Sequence, residues 1–159
     1  MDIEIVKRFL RYFDKDKRRI NHALKVHSFA RLIALGERVD DKTLEIIEIT
    51  AILHDIGIKT AEEKYNSSMA KYQETEGPPV ARKLLADLNV DGEIIDRVCF
   101  IIGHHHTIGK IDGIDFQIIV EADFLVNIDE DDMKGNAVTS IREKCFKTKT
   151  GLEIFNDLY

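Results

Sequence analysis

An all-α single domain is the fold class this sequence predicts, and three observations predict it. Apolar residues recur at three- and four-residue spacing along most of the chain. The only prolines stand side by side at Pro78 and Pro79, and no stretch alternates apolar and polar residues as paired strands do. With 159 residues the chain fits one domain, 1–159. A chain of that length buries about 70% of its unfolded surface without cross-links.

The elements follow in order. Ile3, Val6, Leu10 and Phe13 predict a short amphipathic first helix. A second, from about 18 to Gly36, is carried by Leu24, Phe29, Leu32, Ile33 and Leu35, and glycine suits its stop. Asp40 or Asp41 caps a third, which runs through LEIIEITAILHDIG to Gly57. The polar stretch Thr60–Gly77 reads as a loop or lid with short helical turns, with Tyr65 and Tyr72 placed to stack on a base. Gly77-Pro78-Pro79 then opens a helix bearing Val80, Leu84, Leu85 and Leu88, since a first turn makes no use of the N–H that proline lacks. Asp91 caps a helix that reaches the triplet His104–His106. After TIGKIDGID comes the apolar helix FQIIVEADFLVNI. Two last helices are expected near 133–146 and 151–158, the second capped by Thr150. Their Phe146, Leu152, Ile154, Phe155 and Leu158 either cover the core or form a homodimer contact.

Composition excludes several classes. Hydrophobic residues at 44% rule out a disordered chain. A net charge of -6 without a long basic run argues against duplex nucleic acid as a partner. No run approaches the roughly 18 apolar residues of a membrane span, and the charged N-terminus does not resemble a secretion signal. Cys99 and Cys145 form no CxxC pair and read as small buried apolar residues, so a cytoplasmic protein is expected.

The informative residues are polar groups inside apolar helices. Ile49 to Ile58 is apolar in nearly every direction, yet it holds His54 beside Asp55. Asp123 lies within IIVEADFLV, with no Lys or Arg inside one helical turn. His22 falls on the inner face of its helix, with Val26 and Ala30. An unpaired buried carboxylate costs more than a domain's net stability of about 5–15 kcal/mol, so these groups must be paired or hold a cation. Two imidazoles and two carboxylates, without thiolates, suit Mn²⁺, Fe²⁺, Co²⁺, Ni²⁺ or Zn²⁺ in a site that keeps open positions.

In that order, His22 in RINHALKV, His54-Asp55 in AILHDIGIK and Asp123 in VEADFL resemble the HD-domain metal-dependent phosphohydrolase superfamily. The likeness spans about residues 18–130, most of the chain, and leaves the helices of 131–159 outside it. It implies an all-helical fold and metal ligation by His22, His54, Asp55 and Asp123. One divalent ion per chain is expected (Mn, Fe, Co, Ni, Mg or Zn) and a second is possible. It also implies hydrolysis of a phosphoester in a small phosphorylated metabolite or nucleotide, through a metal-activated water. Asp55 and His104 are the expected catalytic residues, with His104 donating a proton or holding a phosphoryl oxygen.

Members with a second metal use extra histidines, which points to His104 and His105, with His106 expected to be exposed. Gln73 stands where those members have a further His; Glu74 or Glu76 could substitute. The Gly-Tyr-Pro extension of cyclic-dinucleotide phosphodiesterases is missing. Arg19, three residues before His22, and Lys59, four after Asp55, are the expected phosphate holders, ahead of Lys71 and Lys110; His27 reads as packing. Two other readings are a non-catalytic nucleotide- or metal-binding module and a di-iron oxygenase on the same scaffold.

Overall fold

Side-chain caps set where the helices of this chain begin. Asp2, Asp16, Asp40 and Asp91 each accept a hydrogen bond from a backbone N–H two or three residues on. The computed structural model describes residues 1–159. It contains α1 (Ile3–Phe13), α2 (Lys17–Glu37), α3 (Asp41–Leu53), α4 (Gly57–Tyr65), α5 (Ala70–Leu85), α6 (Gly92–Ile102), a 3₁₀ turn (Ile108–Lys110), α7 (Ile114–Glu130), α8 (Asn136–Cys145) and α9 (Lys149–Leu158), and no strand. The all-α prediction holds. No helix is long and apolar enough to cross a membrane.

Helix α3 is the central rod, with Ile46, Ile47, Ile49, Ala51, Ile52 and Leu53 all buried. Around it pack α2, α6 and α7, and α2 also lies along α7. The inner face of α2 is Ala23, Val26, Ala30, Ile33 and Ala34, whereas Leu24, Leu32 and Leu35 are 41%, 53% and 53% exposed. The expected leucine face was therefore displaced around the helix: three alanines let α3 and α7 approach closely, and leucines would hold them apart.

The 60–77 stretch, expected as a loop or lid, is mostly helical, with a short connection at 66–69. After a turn at His54–Ile56 the chain enters α4, and α5 begins at Ala70. What these polar helices lack in apolar surface they recover by close approach. A Cβ on Gly57 would lie 2.4 Å from the Gln73 carbonyl oxygen and 2.6 Å from the Gly77 nitrogen, so α4 and α5 touch backbone to backbone. Pro78 and Pro79 lie inside α5 and do not open it. The helix continues past two missing N–H donors because Gln73, Glu76, Gly77, Ala81 and Leu85 are buried along its length against α4 and α6.

At the C-terminus, Phe146 and Phe155 meet edge to face at 4.8 Å and join the core, with Leu152 and Ile154 packed against it. These helices thus cover the core, although Leu158 stays 50% exposed. The cap of α9 is Thr148, not Thr150: its hydroxyl accepts from Gly151 N at 3.0 Å and donates to Glu121. The Glu121 carboxylate, fully buried on α7, also accepts from the Lys147 and Thr148 backbone at 2.7 and 2.8 Å and from Gln117 Nε2 at 2.7 Å. Cys99 and Cys145 are both buried free thiols.

Candidate metal centre

Three rods bring their polar residues to one point. His22 comes from the first third of α2, His54 and Asp55 from the turn that ends α3, and Asp123 from the middle of α7. His22 Nε2 lies 3.2 Å from His54 Nε2 and 3.2 Å from Asp123 Oδ1. His54 Nε2 lies 3.6 Å from both Asp123 Oδ1 and Asp55 Oδ2. Asp55 reaches the other way as well, with Oδ1 3.3 Å from His105 Nε2. A second group of possible donors, Asp55, His105 and His106, thus adjoins the first group of His22, His54 and Asp123.

The outward nitrogens of the rings decide what the inward ones can do. His54 Nδ1 donates to the Ala51 carbonyl at 2.9 Å, and His105 Nδ1 to the Ile102 carbonyl at 2.9 Å. His22 Nδ1 meets Glu130 Oε2 at 2.9 Å. In the neutral form, with its one proton held on Nδ1, each ring presents an Nε2 lone pair toward carboxylate oxygens, which are acceptors too; protonated, it donates to them instead. Buried His105 Nε2 makes no well-aligned hydrogen bond, and Asp55 Oδ1 at 3.3 Å is the carboxylate oxygen it faces. The chemistry of this donor set, imidazole nitrogens and carboxylate oxygens converging without thiolates, fits a divalent ion with nitrogen and oxygen ligands.

Protonation responds to the same field. Burial opposes charge on His22, but the hydrogen bond and charge of Asp123, followed by Asp55 and Glu130, push its imidazole up to about 9. His54 also moves up, burial being outweighed by Asp55 and Asp123. Asp55 and Asp123 move down against the cost of burial: His54 and His105 hold Asp55 ionised, and His22 and His54 hold Asp123. The ionised carboxylates need positive charge, and a proton on His22 Nε2 or a metal ion at that atom supplies it; the two exclude each other.

A cleft of about 480 Å³ opens onto His22 and Asp55. It is lined on one side by Arg18 and Arg19 at the start of α2, and elsewhere by Ser68, Gln73, Asn127 and Glu130.

A family model described as the HD domain matches residues 19–147. The chain belongs to the HD-domain family. That membership places it in a superfamily of metal-dependent hydrolases. It is also similar to the crystal structure of a predicted HD superfamily hydrolase from an uncultured Thermotogales bacterium, with 25% identity and a TM-score of 0.70 over 98% of this chain and 83% of that one. No curated protein matches.

Set against the expected HD-domain site, His22, His54, Asp55 and Asp123 lie together. Several other expectations need correction. His104 does not face the cluster. Its Nδ1 is bonded to the Phe100 carbonyl at 2.7 Å and its ring lies on Phe100, because the chain leaves α6 at Ile102 and turns. His105 is the histidine that turns inward. His106 is exposed, as expected, but its ring packs 3.9 Å from His105 and its Nε2 reaches to 3.4 Å from Gln73 Oε1.

Gln73 is buried, with its amide nitrogen fixed on the Ser68 carbonyl at 2.6 Å, so its oxygen points toward His106. Glu74 accepts from the His106 backbone and the Thr107 hydroxyl, and Glu76 from Lys64 and Tyr65; neither belongs to the donor groups. Lys59 turns away: its ammonium donates to the Tyr12 carbonyl at 2.9 Å and sits over the Tyr12 ring. Arg19 lines the cleft, but its guanidinium is held by Asp16 at 3.0 Å and Glu62 at 2.6 Å. Tyr65 and Tyr72 stack on each other at 4.2 Å and do not line the cleft, and Lys71 sits over Tyr72.

Three residues were not foreseen. Glu130 orients His22, as a carboxylate behind a metal-binding histidine does. Asn127 donates to Asp123 Oδ1 at 2.9 Å and holds that carboxylate in place. Both lie on the Asp123 face of α7, four and seven residues on, a spacing visible in the sequence. Arg18 is exposed on the cleft wall and makes no ion pair.

Proposed function

We propose that this HD-domain protein is a metal-dependent phosphohydrolase that cleaves a phosphoester in a small phosphorylated metabolite or nucleotide. The observation that carries the reading is the set of ring Nε2 atoms, each with its Nδ1 bonded, that converges on ionised carboxylates where His22 and Asp55 line an open cleft. His22, His54, Asp55 and Asp123 would hold the ion. A divalent ion there supplies Lewis acidity toward a phosphoryl oxygen and acidifies an attacking water.

The chain's own groups do the rest. Glu130 and the Ala51 carbonyl keep the His22 and His54 rings in the ligating tautomer, and Asn127 keeps Asp123 aimed inward. Arg18, free of carboxylate partners, is the guanidinium best placed to hold a non-reacting phosphoryl oxygen. Arg19 contributes less because Asp16 and Glu62 offset its charge. The substrate contact assigned by position to His104 passes to His106, whose ring stands beside Gln73 at the cleft.

A second ion is favoured by one observation: Asp55 Oδ1 faces His105 Nε2 with His106 alongside, and these three residues would hold it. The di-iron oxygenase reading needs both ions.

The test is to load the purified protein with Mn²⁺, Co²⁺, Fe²⁺ or Ni²⁺ and screen phosphomonoesters, phosphodiesters and nucleotides, with metal content measured in parallel. Turnover with at least one metal, reduced 100-fold or more in Asp55→Ala, is expected. Undiminished activity in that variant overturns the site assignment. Saturable nucleotide binding without turnover under any metal replaces the hydrolase with the binding-module reading.

A further inference from the structure

A second hollow, with no lining residue in common with the metal-centre cleft, lies between α1 and the α4–α5 pair as an open groove of about 760 Å³. Its charge is opposite to that of the molecule. The chain as a whole carries -6, yet this wall collects Arg8, Arg11, Lys64 and Lys83 against a single carboxylate, Glu76. That carboxylate is already engaged, accepting from Lys64 at 2.6 Å and from the Tyr65 hydroxyl at 2.8 Å. Arg8 is positioned from behind, donating to the Leu84 carbonyl at 2.9 Å, with Asp87 no nearer than 3.9 Å. Arg11 and Lys83 have no ion-pair or side-chain hydrogen-bond partner, although they face one hollow from two different helices.

Like charges gathered in a concave site raise the local concentration of anions, and a cluster with two unpaired members is matched best by a dianion. The remainder of the wall is apolar, formed by Pro79, Val80 and Leu84. The size is that of a small-molecule site, within the range of about 300–1,000 Å³. A long polyanion fits less well, because the acidic surface outside the groove repels whatever extends beyond it.

We propose that this groove binds a phosphorylated small molecule, its phosphate between Arg11 and Lys83 and its apolar part on Pro79, Val80 and Leu84, at a site separate from the metal centre. The proposal is independent of which bond the metal centre cleaves.

The probe is phenylphosphonate, which carries a phosphate-like dianion on a ring and has no phosphoester bond to hydrolyse. It is titrated into the ¹⁵N-labelled, Zn²⁺-loaded full chain at constant ionic strength and followed by amide chemical shifts. Saturable shifts at Thr60, Lys83 and Leu84 are expected, at least tenfold weaker in Arg11→Gln and Lys83→Gln, and tighter for phenylphosphonate than for inorganic phosphate. Both substituted side chains are exposed, so the variants should fold; unchanged dispersion of the spectrum checks this. Shifts confined to residues around His22 and His105, shifts matched by chloride, or affinity unchanged in both variants would overturn the proposal. A short single-stranded oligonucleotide that binds the groove tighter than phenylphosphonate would replace the small ligand with a nucleic acid.

Discussion

Binding of a divalent ion at His22, His54, Asp55 and Asp123 is predicted to expel protons, and the number follows from the electrostatics of the cluster. With the His22 imidazole pushed up to about 9, a solution at about pH 7.5 holds its Nε2 protonated in roughly 97% of molecules. A metal can take that nitrogen only after the proton leaves. Displacing it costs about 2 kcal/mol, which is 1.5 pH units at about 1.36 kcal/mol each, or about thirtyfold in apparent affinity. His54 is also raised, so it adds to the release as pH falls. The sign is fixed: affinity rises with pH, about tenfold per unit from His22 alone, and levels off above about pH 9.

Isothermal titration calorimetry of Mn²⁺ or Zn²⁺ into metal-free protein, in buffers of different ionisation enthalpy, counts the protons directly. About one proton per first ion is expected from His22 at about pH 7.5, with any further release coming from His54. In Glu130→Gln the count should fall, since one of the carboxylates holding the His22 proton is gone. Release near zero, with affinity flat between about pH 6 and 8, would refute the arrangement of charges derived above.

Other perturbations test the frame around the site. Gly57→Ala drives a methyl into the Gln73 carbonyl and the Gly77 nitrogen, so α4 and α5 must part; a loss of about 2–3 kcal/mol in denaturant unfolding is expected, with Gln73 displaced from the cleft. Glu121→Ala strands the Lys147 and Thr148 backbone donors and the Thr148 hydroxyl; about 3 kcal/mol or more of stability should go, while metal affinity stays within about twofold. Arg18→Met should raise KM for a phosphorylated substrate about tenfold, whereas Lys59→Met, which removes a side chain bound to Tyr12, should leave KM unchanged.

The sequence disclosed the centre of the site and misplaced its margins, for one physical reason. His22, His54, Asp55 and Asp123 were legible because each sits where helical periodicity puts apolar residues, and a charge out of phase with its surroundings must be answered within the fold. That logic works only while the helix lasts. Lys59 is four residues from Asp55, which means a shared face on one helix, but the chain turns at His54–Ile56 and starts afresh at Gly57. The histidine triplet likewise lies past the end of α6, so counting residues could not say that His105 turns inward and His104 outward. Helices α4 and α5 were unreadable as a pair because a glycine-to-glycine contact joins them in place of an apolar stripe. Glu121 shows the opposite case, a carboxylate among apolar neighbours that is satisfied by the Lys147 and Thr148 donors of the α8–α9 connection and by Gln117 one turn back on its own helix.

The two prolines inside α5 have a mechanical consequence. No N–H of residue 78 or 79 can reach back to the carbonyls of Glu74 and Thr75, so the rod is uncoupled at that level while its backbone stays continuous. The segment ahead of this joint carries Gln73 at the mouth of one cavity and Glu76 at the wall of the other. A tilt of that single turn moves both walls together.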